Sequence, residues 1–462
     1  MILSRFQKTA YTGLAVLGIC FIAAAVVLAP FSGWATAWVI PLGLIAGLTA
    51  AFFLPKLPLP RNETVLLGAV IGTTLLTGAV WLMLTRVSPD MGGTARDFAR
   101  LFETASALAA GEPIPDAEYQ AVFPHLLGYP FVLSFLFRIF GASVAVAQAF
   151  NLFCSLCSAA LLFSVGKRLT GAPGGLAAGM LWALMPSHFM LLSLVSGEML
   201  HIALTLLAVR IYLSADRPIE VWAALGLAVG CSSLIRPIGP VYLLAFALCH
   251  IVFAPRGRRF WLSAAVSVLV MTGVYLAVTA PLSGGFGWNL YVGMNRDSAG
   301  GWNAADYAVL EARLDEGLPA SEIQALFTGE ALARAGERLR EGGLARFLAR
   351  KFSRLWCQDS FTVYWLSLGA RENSPLDIRA WTGLLSALCN LAYGILLGCC
   401  ALSLFRQVKL GGRAFLLPAT ILIGVVLLFL LLEANPRYHY AGSAMLCLLA
   451  AGCVTPTKES VT

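Results

Sequence analysis

Only 12% of this chain is charged, yet a few carboxylates and cations stand where they could do chemistry. Asp97 opens a helically spaced apolar pattern, Phe98, Leu101, Phe102, Ala105 and Leu108, that ends at Gly111. A carboxylate so placed can take a proton from a bound hydroxyl, and the same residue type also caps the free N–H groups of its own helix. Asp90 is its rival, but it precedes Met91-Gly92-Gly93 and reads as a turn residue beside permissive glycine backbone. Glu198, in SGEML, lies at the rim of an apolar run, where an ionisable group costs about 2.5–3.5 kcal/mol if it reaches the centre of a membrane helix. Its plainer account is an interfacial cap behind Ser196 and Gly197, since helix starts favour acids. His201 follows three residues later on the same helix face, half of a metal site at most, and the usual three or four ligands cannot be named, so polar packing is favoured and the metal stays unknown. The candidate anion-binding cations are Arg437 in NPRYHY and Lys351 with Arg354 in KFSRLW, because a guanidinium can grip an oxyanion bidentately. Basic and aromatic residues also gather at membrane boundaries, an account that suits KFSRLW better than RYHY.

The elements that must position these groups are apolar runs. Apolar residues make up 59% of 462, with a mean hydropathy of +0.79. About 20 apolar residues carry a helix across the hydrocarbon core, and soluble domains of ordinary composition do not hide so much apolar surface. The expected fold is therefore all-α, a polytopic transmembrane helix bundle of about 12 spans whose exoplasmic loops carry short interfacial helices. Excess Lys and Arg mark cytoplasmic loops in such a protein, so the net charge of +8 gives no ground for nucleic-acid binding. Of the 11 cysteines, all but Cys357 fall in apolar runs and read as small hydrophobes. The Cys154/Cys157 spacing has no second pair or nearby histidine, so it too is read as packing.

Arg5 and Lys8 precede a run at 10–30 that is read as a first span, not a cleaved signal, because no small-residue cleavage site stands out and a second run at 35–54 follows at once. Further spans are expected at 63–86, 143–166, 172–190, 195–214, 218–236, 238–254, 259–281, 378–404, 413–433 and 437–453. The segment 125–140 is short and carries His125, Gly128, Pro130 and Arg138. Counting it as a crossing would put Lys167, Arg168 and the PRGRR cluster outside, so it is read as an interfacial helix. The organisation expected is 1–86 with three spans, 87–142 as a first exoplasmic loop, 143–281 with the central spans, 282–377 as a second exoplasmic region, and 378–462 with the last spans and a short tail. The second region should hold one amphipathic helix near 320–342 and a basic-aromatic patch at 349–356. Both termini, Lys56, Arg61, Arg217, Arg406, Lys409 and Arg413 then face the cytoplasm, while Asp97, Glu198, Arg236 and Arg437 face outward.

The succession RDFARLFETASALAAGEP, VFPHLLGYPFVLSFLFRIFG, Asn151 opening a run that ends GKRLTG, LMPSHFMLLSLVSGEML and the late ANPRYHY resembles the GT-C superfamily of membrane glycosyltransferases. It resembles the protein O-mannosyltransferases and lipid A aminoarabinose transferases in hydropathy and motif order over most of its length, but has two spans before the third where many members have one. The resemblance implies a sugar donor carried on a polyprenyl phosphate, a glycan, lipid or protein acceptor, a lipid bilayer setting in the bacterial plasma membrane, and an essential acid in the first exoplasmic loop. Asp97 stands at that loop acid and Glu198 at a second acidic position after a proline-containing turn.

Sugar transfer of that kind needs a base for the acceptor hydroxyl and a counter-charge for the departing phosphate. On this reading Asp97 is the base of an inverting transfer, Arg437 meets the phosphate, and Tyr438 and His439 line the sugar. Lys351 and Arg354 are further phosphate candidates. The stretch GFGWNLYVGMNRDSAGGWNAAD offers Trp288 and Trp302 to stack on a sugar acceptor, although its plain reading is a well-turned loop. No Walker or glycine-rich nucleotide motif is present, so no nucleotide cofactor is expected, while a divalent metal stays open. The competing readings are a lipid or sugar transporter or flippase, against which the scarcity of mid-span charge counts, and a non-catalytic membrane scaffold that would tolerate loss of Asp97.

Overall fold

The computed structural model describes residues 2–53, 60, 62–90, 96–214, 219–253, 260–282, 284–410 and 415–454. The turn with Lys56 and Arg61, the Gly92-Gly93 pair, Arg217, the PRGRR cluster, Arg413 and the tail from 455 lie outside the described residues. Apolar runs of this length become helices because a backbone away from water must satisfy its own N–H and C=O groups. The first three are α1 (Ile2–Leu28), α2 (Ile40–Phe53) and α3 (Glu63–Leu84). The first loop region folds as α4 (Arg96–Ala110), α5 (Ala117–Val122) and α6 (Gly128–Phe140). The central helices are α7 (Val144–Leu184), α8 (Pro186–Leu191), α9 (Glu198–Tyr212), α10 (Ile219–Ser233), α11 (Gly239–Phe253) and α12 (Phe260–Thr279). Then come α13 (Gly287–Gly293), α14 (Ala304–Asp315), α15 (Ala320–Glu341), α16 (Leu344–Trp356) and α17 (Phe361–Gly369). The chain closes with α18 (Ile378–Leu410), α19 (Leu416–Leu431) and α20 (Tyr440–Ala450). Among the described residues the sole β feature is an isolated bridge between Val87 and Ala370, so the fold is an all-α bundle.

Helix forms at each of the twelve expected crossings, and five helices are by themselves long and apolar enough to cross a membrane. The boundaries differ in informative ways. The runs expected at 143–166 and 172–190 are one helix, α7, broken at Gly171, whose φ of +82° only glycine adopts without strain, just before Pro173. Its second half stops at Leu184, and the remaining apolar residues turn aside as α8. Helix α6 has 13 residues and so rises about 20 Å, short of the roughly 30 Å core. It packs Tyr129, Leu133 and Phe137 near Leu101 and Ala105 of α4 and leaves Phe131, Phe135, Ile139 and Phe140 exposed. The region 282–377 holds five helices where one was expected, because short helices of mixed polarity escape a search for long apolar runs. Three of them share a small core of Trp288, Tyr291, Leu310, Ile323 and Phe327, closed by Val122 and Phe123.

Helices α2 and α18 touch backbone to backbone. A Cβ built on Gly43 would lie 2.3 Å from the Leu391 carbonyl oxygen, and one on Gly394 would lie 2.3 Å from that of Ile40. Gly47 and Gly398 repeat the contact one turn on, so small residues spaced by four let dispersion and weak polar contacts act at close range. Gly394→Val should therefore destabilise the bundle by about 1–3 kcal/mol through overpacking, read as a lower thermal midpoint in detergent. Gly383→Ala on the same helix, where no atom lies within 4 Å, should leave that midpoint unchanged.

Candidate active site

Three elements remote in sequence meet at one end of the bundle. Asp97 occupies the first turn of α4, its carboxylate nearly half exposed, and its Oδ2 accepts a hydrogen bond from Arg437 Nη2 at 3.2 Å. Arg437 is buried in the 3-10 turn Pro436–His439, where the Asn435 side chain accepts the Arg437 backbone N–H at 3.1 Å. Its Nε lies 3.4 Å from Oε1 of Glu198, the first residue of α9, and Arg236 donates to the same oxygen. Two guanidiniums thus compensate a carboxylate that burial alone would make costly. Arg437 in turn bridges an accessible carboxylate and a buried one.

Glu198, His201, Arg236, Arg437, Tyr438 and Tyr440 line the polar side of a small, partly open pocket, and Ile202, Ile238, Phe429 and Ala441 line its apolar side. Glu198 Oε2 and Arg437 Nε are buried there without a hydrogen-bond partner among the described residues. Glu433, which the sequence reading missed, accepts the Tyr438 hydroxyl proton at 3.1 Å. Burial pushes its pKa up, against the opposing charge of Arg437. The signal that could have exposed it is a carboxylate ending an unbroken apolar run four residues before Arg437. His125, in the turn before α6, is pushed down to about 3 by burial and then by Arg236 and Arg437, so its ring is neutral at physiological pH.

The structure brings Asp97, Glu198, Arg437 and Tyr438 together, with His201 in the wall of the same pocket, and sets the other expected site residues elsewhere. Asp90 sits in an exposed turn bonded to Ser88. His439 is buried, with Nε2 on Asp359 Oδ1 at 2.8 Å, and does not face the pocket's open volume as a sugar-lining residue would. His201 spends its ring nitrogens on the Tyr242 hydroxyl at 3.0 Å and on Ser232, so it is not a free metal ligand. Among the described residues no three His, Cys, Asp or Glu side chains converge as a metal site. Lys351 donates to the carbonyls of Gly293 and Leu432, each at 2.7 Å, and burial pushes its pKa down to about 7. Arg354 donates to Ala434 O at 3.0 Å. Both cations therefore clamp the loop 432–435 that leads into the Arg437 turn. Trp288 lies in the small core against Phe327, whereas Trp302 is exposed, with its ring 6.0 Å from that of Tyr307.

A second clamp reaches the same loop through Gly300, whose carbonyl accepts the Ala434 N–H at 2.7 Å. The loop 294–303 is itself tied to Asp306, which accepts from Asn295 at 3.0 Å, Asn303 at 2.8 Å and Arg334 Nη2 at 2.8 Å. Burial acts to raise the Asp306 pKa, but the Arg334 bond and then the amides outweigh it and hold the carboxylate below its ordinary range. With the folded value below the unfolded one, this carboxylate stabilises the fold above about pH 4 and the contribution is lost as pH falls through the lowered value. Thermal midpoints taken from pH 7 to pH 3 should fall on the acid side, and Asp306→Asn should lower the neutral midpoint and flatten that acid limb.

Residues 124–283, from the turn before α6 to the end of α12, match the family model described as dolichyl-phosphate-mannose-protein mannosyltransferase. No curated protein sequence matches the chain. Among solved structures, the archaeal oligosaccharyltransferase AglB from Archaeoglobus fulgidus, in complex with an inhibitory peptide and a dolichol-phosphate, aligns with a TM-score of 0.44 at 13% identity over 85% of this chain and 50% of its own. The oligosaccharyltransferase of the same organism in complex with Zn and sulfate gives a TM-score of 0.46 at 13% identity over 84% of this chain and 48% of its own. ArnT from Cupriavidus metallidurans, bound to undecaprenyl phosphate, gives 0.34 at 12% identity over 84% of this chain and 77% of its own. The chain spans about half the length of the oligosaccharyltransferases it matches. The likeness to this family thus lies over residues 124–283, about a third of the chain, a segment that holds Glu198 and Arg236.

Proposed function

We propose that the protein transfers a sugar from a polyprenyl-phosphate donor to an acceptor hydroxyl at the exoplasmic face of the membrane. The observation that carries this reading is Arg437, a guanidinium shared between the accessible Asp97 and the buried Glu198 at a pocket that is cationic on one side and apolar on the other. A lipid phosphate has that same division of chemistry. Arg437 Nε and the Arg236 guanidinium meet the phosphate, Glu198 holds both cations in place, and the first isoprene units lie along Ile202, Ile238 and Phe429. The incoming phosphate competes with Asp97 for Arg437, leaving the carboxylate only its longer contact with Arg100 at 3.8 Å, and Asp97 acts as the base. Asp97 then takes the acceptor proton while the acceptor oxygen bonds to the anomeric carbon. The carbon–oxygen bond to phosphate breaks on the opposite face, its electron pair stays on the phosphate, and the anomeric centre inverts.

The site end of the bundle is read as exoplasmic from charge. Lys167, Arg168 and Arg406 lie at the other end, against Glu63, Leu213 and Cys453, and the sequence runs 54–61, 215–218 and 254–259 that join helices at that end carry Lys56, Arg61, Arg217 and the PRGRR cluster with Asp216 as their one acid. On this reading both termini are cytoplasmic. A cysteine introduced at the exposed Glu112, between α4 and α5, should react with an impermeant maleimide from the exoplasmic side; reaction only from the cytoplasmic side would overturn the orientation.

Purified protein given a labelled polyprenyl-phosphate sugar and candidate acceptors should consume donor and release polyprenyl phosphate, which a flippase or scaffold would not do. Asp97→Asn should lose about 10² to 10⁴-fold in rate with donor binding retained. Arg437→Ala should weaken donor capture by about 1.5–3 kcal/mol, the value of a hydrogen bond to a charged group. Near-normal turnover by folded Asp97→Asn protein would remove the base assignment.

A further inference from the structure

The transfer chemistry leaves one buried polar cluster unused. Asp359 lies in the short linker between α16 and α17, and His439 ends the turn that carries Arg437. The imidazole is held on both edges: Nε2 donates to Asp359 Oδ1 at 2.8 Å, and Nδ1 lies 3.1 Å from the carbonyl oxygen of Leu355. Both partners accept, so both contacts are satisfied when each ring nitrogen carries a proton. The ring is also held on its faces, stacked on Tyr393 at 5.9 Å and near Trp356 at 5.8 Å between centroids. Asp359 is anchored in turn, its N–H donating to Asn390 Oδ1 of α18 at 2.7 Å and its Oδ2 accepting from Ser187 of α8 at 2.5 Å.

We infer that Asp359 and His439 are positioning residues that aim Arg437 at the lipid phosphate. Neither touches the pocket, and a buried polar pair is a poor source of stability compared with an apolar filling of the same shape. What such a pair supplies is direction. Arg437 and His439 belong to one 3-10 turn, so clamping the ring through α8, α16 and α18 sets the place from which the guanidinium reaches Asp97 and Glu198. Asn435 and Pro436 fix the other end of that turn. The inference rests on the phosphate-binding role proposed for Arg437.

The test measures affinity for a short-chain polyprenyl phosphate in nanodiscs, beside amide hydrogen exchange of the 436–439 turn. Asp359→Asn and His439→Gln should each weaken binding on the order of tenfold and speed exchange. In an Arg437→Ala background neither should weaken it further, because their effect passes through Arg437. His439→Gln, which keeps an N–H donor, should retain more affinity than His439→Leu. Wild-type affinity in folded Asp359→Asn protein, a full additive loss in the double variant, or unfolding of both Asp359→Asn and His439→Gln would each overturn the positioning role. If the wild-type protein itself does not bind polyprenyl phosphate, the functional reading fails separately; faster exchange in Asp359→Asn would still uphold the anchor, and unchanged exchange would sink it.

Discussion

A carboxylate buried at the start of a membrane helix cannot stand without a cation, and much of this structure follows from how Glu198 is given two. Arg236 reaches it from the end of α10 and Arg437 from the turn before α20, so α9, α10 and α20 must converge at one depth. Removing either cation would leave a buried charge under-compensated, which costs far more than the pair contributes to stability. The bundle therefore holds these helices in register for the sake of a charge cluster. Its close packing elsewhere, as between the glycines of α2 and α18, gives the rigidity that such a cluster requires.

The loop before α20 shows how that rigidity reaches the pocket. Lys351 and Arg354 from α16 grip the carbonyls of Leu432 and Ala434, and Gly300 grips the Ala434 N–H. The Cβ missing from Gly293 and Gly300 is what lets these strands of backbone approach: a Cβ on Gly300 would meet the Lys351 side chain at 2.7 Å. Helices α13 to α16 thus act on the site through backbone, placing Glu433 and Arg437 without entering the pocket.

Much of this was legible in the sequence. Helix at each apolar run, the short α6, and the convergence of Asp97, Glu198 and Arg437 on one end all follow from hydropathy, charge placement and a resemblance to known motifs. What escaped was whatever depends on the third dimension. Lys351 and Arg354 look like phosphate ligands in KFSRLW, but a cation satisfied by carbonyls and one aimed at a ligand have the same letter. Trp288 looks like a stacking platform in a glycine-rich loop, yet Phe327 from α15 covers it. Asp359 drew no notice because a lone acid between two short helices carries no pattern, and its partner lies 80 residues away.

The relation between Asp97 and Arg437 is the step on which the chemistry turns. One guanidinium reaches an accessible carboxylate at 3.2 Å and a buried one at 3.4 Å, and Asp97 has a second, more distant cation in Arg100 at 3.8 Å. On the function proposed above, a phosphate seated beside Glu198 would offer Arg437 a stronger, bidentate partner and leave Asp97 with Arg100 alone. Arg437 could change partners in this way because its turn is held from behind through His439, on Leu355 and Asp359, while the guanidinium itself is tied to no backbone group.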